Sequence, residues 1–232
     1  MSDAPRQLAL DLPVAASFAP EDFLVAPCNE LAFGFLEDWE AGSDPVVLLV
    51  GPAGSGKSHL AAVWAARTGA KILAISDLAG RSVHDLAALP ALVVEDCDRE
   101  RGEDAALFHL LNAVRERGGR LLLTARTGPG QWGATTADLL SRLRLARRID
   151  MGEADEALLG ALLVKFFVER QMRVDAGVVD YVRLRIERSA AAARAFVEAL
   201  DREGLARRRR ITRALAADIL RREDEDDPVL PL

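Results

Sequence analysis

Residues 51–58 read Gly51-Pro52-Ala53-Gly54-Ser55-Gly56-Lys57-Ser58, a complete G-x-x-x-x-G-K-[ST] loop. The apolar run Val46-Val47-Leu48-Leu49-Val50 before it reads as a strand, and the stretch from His59 to Arg67 as a helix. That context restricts the fold to a small set of α/β architectures. The loop turns successive backbone N–H groups towards an anion at the start of a helix. In this reading the loop holds the phosphates of a nucleoside di- or triphosphate, Lys57 reaches the β and γ oxygens, and the Ser58 hydroxyl is a ligand of Mg2+. The competing reading is a bare glycine-rich turn.

The rest of the chain suits a nucleotide-handling domain. Its 232 residues are enough for one large or two modest domains. Half of them are apolar but only 5% are aromatic, so the expected core is aliphatic. A net charge of −6 argues against binding nucleic acid by bulk charge, though not against a local basic patch. Cys28 and Cys97 are too few and too far apart for a disulfide framework or metal cluster, and Cys97 reads as a small buried residue. The N-terminus lacks a signal-type apolar core and no run is long enough for a membrane span, so a soluble cytoplasmic protein is expected.

Strand and helix patterns alternate through the first 150 residues. Strands are expected at Val46–Val50, Lys71–Ile75, Ala91–Val94 and Arg120–Ala125, with helices near 29–39, 57–67 and 104–117. Beyond Asp150 only helical periodicity remains, at about 153–171, 176–187, 190–203 and 212–222. The expected fold class is therefore α/β: a P-loop base with a mostly parallel sheet, followed by a small all-helical lid. The expected divisions are a tail at 1–16, the base at 17–152, the lid at 153–222 and an acidic tail at 223–232.

Two strand ends carry further chemistry. Leu92-Val93-Val94 runs into Glu95-Asp96. In P-loop enzymes one acid at this place serves the metal and a second orients the attacking water, here Glu95 and Asp96 respectively. A solvent-facing acidic turn is the plainer reading. Asp96 is a methylene shorter than a glutamate, so slow turnover is expected. After Leu121-Leu122-Leu123, Thr124 or Arg126 could reach a γ-phosphate, or Thr124 could simply cap the next turn. Arg142 could be a surface residue paired with Asp138, four residues earlier, or a finger inserted into a neighbour's nucleotide site.

The segments Pro52–Leu60, Ser17–Asn29 and Leu139–Leu143 together resemble the DnaA/Hda branch of the AAA+ ATPases, with His59-Leu60 after the loop serine typical of that branch. The resemblance spans about residues 7–222. It implies an AAA+ base and lid, and it places the Walker B pair at Glu95-Asp96, where the first residue departs from the usual aspartate. It puts Thr124 in the sensor 1 strand, makes Arg142 the arginine finger, and sets Phe23, Leu24, Val25 and Asn29 in the strap that lines the adenine pocket. His59 joins the loop among the nucleotide contacts. The sensor 2 position falls at Ala191 by gapless count, with Arg188 and Arg194 one turn to either side. The chain stops where the initiator's DNA-binding domain would begin, so the resemblance is to the short members of the branch.

Gln7-Leu8-Ala9-Leu10-Asp11-Leu12 resembles the sliding-clamp-binding peptide of that branch and of bacterial polymerases. Gln7, Leu8, Leu10 and Leu12 are its expected contacts, an extended peptide in an apolar groove. An ordinary apolar tail is the alternative. The partners this resemblance implies are the beta-subunit clamp of DNA polymerase III, the DnaA initiator and, through the clamp, DNA. A second copy of the chain is a further candidate. The function it implies is a nucleotide-bound adaptor with weak or no hydrolysis of its own, which stimulates ATP hydrolysis by the initiator and so restrains chromosome replication. A recruitment adaptor without the clamp and a stand-alone P-loop enzyme are the other readings. Arg207–Arg210 reads as a solvated turn or as a partner or DNA contact, His109 as structural, and Trp39, Trp64 and Trp132 as too scattered for a stacking platform.

Overall fold

Strict alternation along the central strands sorts their side chains onto two faces, and each face is covered by helices. In a computed structural model, residues 22–40, 44–99, 104–132, 136–207 and 211–226 are described. Two units are present, residues 17–153 and a second containing residues 154–232.

Among its described residues the first unit carries five strands, β1 (Val46–Val50), β2 (Lys71–Ala74), β3 (Ala91–Glu95), β4 (Arg120–Ala125) and β5 (Arg147–Asp150), in the order β2-β3-β4-β1-β5. All four pairings are parallel. Its helices are α1 (Glu30–Asp38), α2 (Lys57–Thr68), α3 (Val83–Ala87), α4 (Asp104–Arg117) and α5 (Ala137–Arg144). Val46, Leu48 and Val50 face one core with Leu110, Leu111, Val114, Leu139 and Leu143. Val47 and Leu49 face the other with Leu36, Trp39, Leu60 and Trp64. Burial on both faces is why β1 is apolar at every position.

The second unit is helical among its described residues: α6 (Glu156–Glu169), α7 (Ala176–Arg183), α8 (Ala190–Arg207) and α9 (Arg213–Asp226). The Asp155 carboxylate accepts from the Leu158 amide at 2.7 Å and starts α6. Buried Ser189 does the same for α8, accepting from Ala192 N at 3.0 Å. Arg170 ties the end of α6 to α8 through Glu198 at 2.9 Å and Asp201 at 3.1 Å. No helix among the described residues is long and apolar enough to cross a membrane.

Several elements differ from the sequence expectation. β2 ends at Ala74, and Ile75–Leu78 turns into a short 3-10 helix. β5 and the five-residue α3 were not expected as elements, and α6 begins at Glu156 instead of near 153.

Candidate functional site

The loop leaves β1 between the ends of β4 and β5. Gly51 N donates to Ala125 O at 3.2 Å, and Met151 N donates to Val50 O at 2.7 Å. Gly54 and Gly56 take positive φ values of 70° and 93°, and Gly56 caps α2, whose first residues are Lys57 and exposed Ser58. Only glycine adopts such angles freely. Gly51 is restricted by space, since a Cβ there would meet Met151 O at 2.6 Å and Ser55 Oγ at 2.9 Å. The backbone oxygen cannot yield cheaply. Gly51→Ala is therefore expected to destabilise the protein by about 1–3 kcal/mol, read as a lowered denaturation midpoint. An unchanged midpoint would contradict the packing described.

Lys57 is buried, and its ammonium donates to Gly51 O and Pro52 O, each at 2.7 Å, and to Ser55 Oγ at 3.4 Å. Burial holds its pKa below the usual lysine range, partly offset by the nearby charges of Asp98, Asp96 and Glu95. These carboxylates come from the end of β3, two strands from β1, with β4 between. Glu95 Oε1 is buried without a hydrogen-bond partner among the described residues. Asp96 takes a left-handed φ of 56°, tolerated by aspartate. Its amide donates to the hydroxyl of buried Thr124 at 3.1 Å, and Cys97 N donates to Thr124 O at 2.9 Å. Thr124 thus holds the kink that swings Asp96 out of the strand. Arg99 pairs with the Asp96 carboxylate at 3.3 Å. Cys97 is buried and its thiol pKa is raised by that burial, as suits an inert packing residue.

Asp98 was missed in the sequence reading. One oxygen accepts from Arg126 N at 2.8 Å and Thr127 N at 3.2 Å, joining the exits of β3 and β4. The other is buried and unpartnered among the described residues. The signal was available in Glu95-Asp96-Cys97-Asp98, where a buried cysteine separates a third acid from the pair.

The strap approaches from the other side. Phe23 stacks on Phe33 at 5.6 Å, meets His59 edge-on at 5.3 Å, and lies 3.7 Å from the Cβ position of Gly56. Asn29 is buried, donating to Leu24 O at 3.0 Å and accepting from Ala26 N at 2.8 Å, so its amide shapes the strap itself. Val25 is half exposed. Gly152 N donates to Cys28 O at 2.9 Å, tying the strap beside the β5 exit.

Arg142 lies at the opposite rim. The loop follows the C-terminal end of β1, whereas Arg142 is in the last turn of α5, which runs back to where β5 begins beside Val47. Five residues of strand separate the rims by roughly 16 Å. The Arg142 guanidinium is exposed and makes no ion pair with Asp138 among the described residues. Arg194, in the second unit, lies 4.2 Å from the centre of the Phe166 ring and 3.9 Å from Glu169, while Arg188 pairs with Glu156 at 3.7 Å. Gln7, Leu8, Leu10, Leu12 and Arg208–Arg210 fall outside the described residues.

A parallel sheet with β4 inserted between β1 and β3, a glycine-rich loop at the β1 exit, acids at the β3 exit and a following helical unit define a P-loop fold of the AAA+ type. That fold is consistent with nucleotide binding. Among solved structures the chain is similar to domain III of the replication initiation protein DnaA from Thermotoga maritima, with a TM-score of 0.76 and 15% identity over 91% of this chain and 98% of that one. It is also similar to AMPPCP-bound DnaA from Aquifex aeolicus, with a TM-score of 0.69 and 17% identity over 90% of this chain and 70% of that one. The Holliday junction branch migration motor RuvB of Thermotoga maritima gives a TM-score of 0.61 and 16% identity over 83% of this chain and 66% of that one. No protein-family model and no curated protein sequence matches the chain. At these identities the likeness is one of fold.

Proposed function

We propose that this chain is a cytoplasmic AAA+ adaptor of the Hda type. Carrying ADP or ATP with Mg2+ and tethered to the DNA-loaded sliding clamp, it supplies Arg142 to the ATPase site of the DnaA initiator and drives that protein to its ADP form. The observation that carries the reading is the position of Arg142. It is exposed and unpaired, at the rim away from its own loop, so it can serve a nucleotide only on another molecule.

The residues at the loop fit a magnesium nucleotide. Lys57 is a buried cation bonded to loop carbonyls, and Glu95 has a buried oxygen in want of a partner. Gly51 to His59 would hold the phosphates, Ser58 and Glu95 the metal, and Phe23, Leu24, Val25 and Asn29 would form the base-side wall. When bound, the nucleotide supplies the negative charge that Lys57 is placed to meet. Asp96 and Thr124 would act at the γ-phosphate end. Asp96 is engaged by Arg99 and is short, which favours slow turnover in this protein's own site.

The test uses initiator loaded with ATP, clamp on DNA and this protein. Hydrolysis by the initiator should accelerate only when the clamp is present, and removing residues 1–12 should abolish the effect. Gln7→Ala with Leu10→Ala should weaken clamp binding more than about tenfold, since truncated interface anchors commonly cost at least ~2 kcal/mol. Stimulation that ignores the clamp, or calorimetric clamp affinity that survives the truncation, would sink the tethering reading.

A further inference from the structure

At the rim where the strands begin, two arginines from different helices meet. Arg115 is in the last turn of α4 and Arg142 in the last turn of α5. Arg115 Nη2 donates to the Arg142 carbonyl at 3.1 Å. Its Nη1 is buried without a hydrogen-bond partner, and neither guanidinium has a carboxylate partner among the described residues. Burial, and then the charge of Arg142, press the Arg115 pKa below the ordinary arginine range.

This arrangement is uncomfortable for an isolated molecule. Like charges repel, and an unpaired donor has lost its water. The carbonyl it binds is one of the last in α5, which otherwise closes through Leu145 N donating to the same oxygen at 3.2 Å. A cation there also complements the negative end of the helix. Arg115 therefore acts on the last turn of α5 in two ways, by a directional bond and by repulsion.

We infer that Arg115 is a positioning residue for Arg142: its hydrogen bond fixes the final turn of α5, and its charge turns the Arg142 guanidinium outward, towards the phosphate of a partner's nucleotide. The inference rests on the proposed role of Arg142 in trans. An arriving anion relieves the repulsion between the two arginines, so the pair is better matched to the engaged complex than to the free protein.

The full-length protein is assayed with ATP-loaded initiator and clamp on DNA. Arg115→Met keeps an unbranched stem and removes both charge and donor. Its maximal stimulated rate should fall roughly tenfold to a hundredfold, the penalty for a slightly misplaced catalytic group. The half-saturating concentration and the protein's own nucleotide affinity should stay within about twofold. Arg115→Lys restores a charge and should recover part of the rate. Combined with Arg142→Ala, Arg115→Met should add no further loss, because the two act as a unit. Hydrogen exchange at the Leu145 and Ala146 amides should quicken in Arg115→Met. A wild-type maximal rate, a raised half-saturating concentration at unchanged rate, or additive losses would overturn the inference. Equal collapse of melting and activity in both Arg115 variants would overturn it too, by making Arg115 a structural anchor. If Arg142→Ala retains the wild-type rate, the finger reading itself fails. Exchange at Leu145 and Ala146 still reports whether Arg115 holds the turn, so the two failures are told apart.

Discussion

Replacing Arg142 with alanine is expected to remove stimulated ATP hydrolysis by the initiator almost entirely, since arginine fingers supply about 10³–10⁵ in rate. The protein's own nucleotide binding should be unchanged, because Arg142 is at the rim opposite the loop, and clamp binding should be unchanged because the proposed clamp peptide is residues 7–12. Neighbouring arginines are poor substitutes. Arg147 pairs with Asp44 at 3.6 Å and covers the Phe35 ring at 4.8 Å. Arg148 holds Asp150 through three hydrogen bonds of 2.6–3.1 Å. Arg144 is exposed, but it is two residues further along the helix and points about 200° away. The pairing with Asp138 that would make Arg142 an ordinary surface residue is absent among the described residues. The measurement is conversion of initiator-bound ATP to ADP with clamp on DNA. A mutant that converts it at the wild-type rate would show that Arg142 is not the finger.

The sequence was most legible where burial is two-sided. β1 and the Leu-rich part of β4 are apolar at every position because helices cover both faces, and no other element type suits such short runs. β5 was invisible for the converse reason. Arg147-Arg148-Ile149-Asp150 is an edge strand with only Ile149 turned to a core, and its conformation comes from pairing with Val47–Val50. A sequence pattern does not carry a backbone ladder contributed by a strand a hundred residues away. The site divides in the same way. The loop is local, so its glycines and Lys57 could be read directly. Asp98 and Arg115 matter through partners 28 and 27 residues distant. Asn29, read as a base-side contact, spends its amide on Leu24 and Ala26, a geometry that its residue type permits but does not announce.

Lys57→Ala is expected to weaken nucleotide binding more than a hundredfold. Removing one partner from a buried charge cluster typically costs about 3–5 kcal/mol, and each ~1.4 kcal/mol is tenfold in affinity. Here the cation that would face the phosphates is also the one that balances Asp98, Asp96 and Glu95. Without it, three carboxylates stand near the anion, and half-exposed Arg99 pairs with one of them, Asp96. The pH dependence has a definite sign. Burial lowers the Lys57 pKa from 10.5, so the free protein gives up this proton earlier than an ordinary lysine would. Bound phosphate favours the protonated form, so affinity should decline as pH rises through the lowered pKa, and the decline should vanish in Lys57→Ala. Calorimetric titration with ADP across an alkaline pH series measures both effects. Affinity unchanged by the substitution would remove the phosphate site from the loop. An identical pH dependence in wild type and mutant would assign the titration to another group.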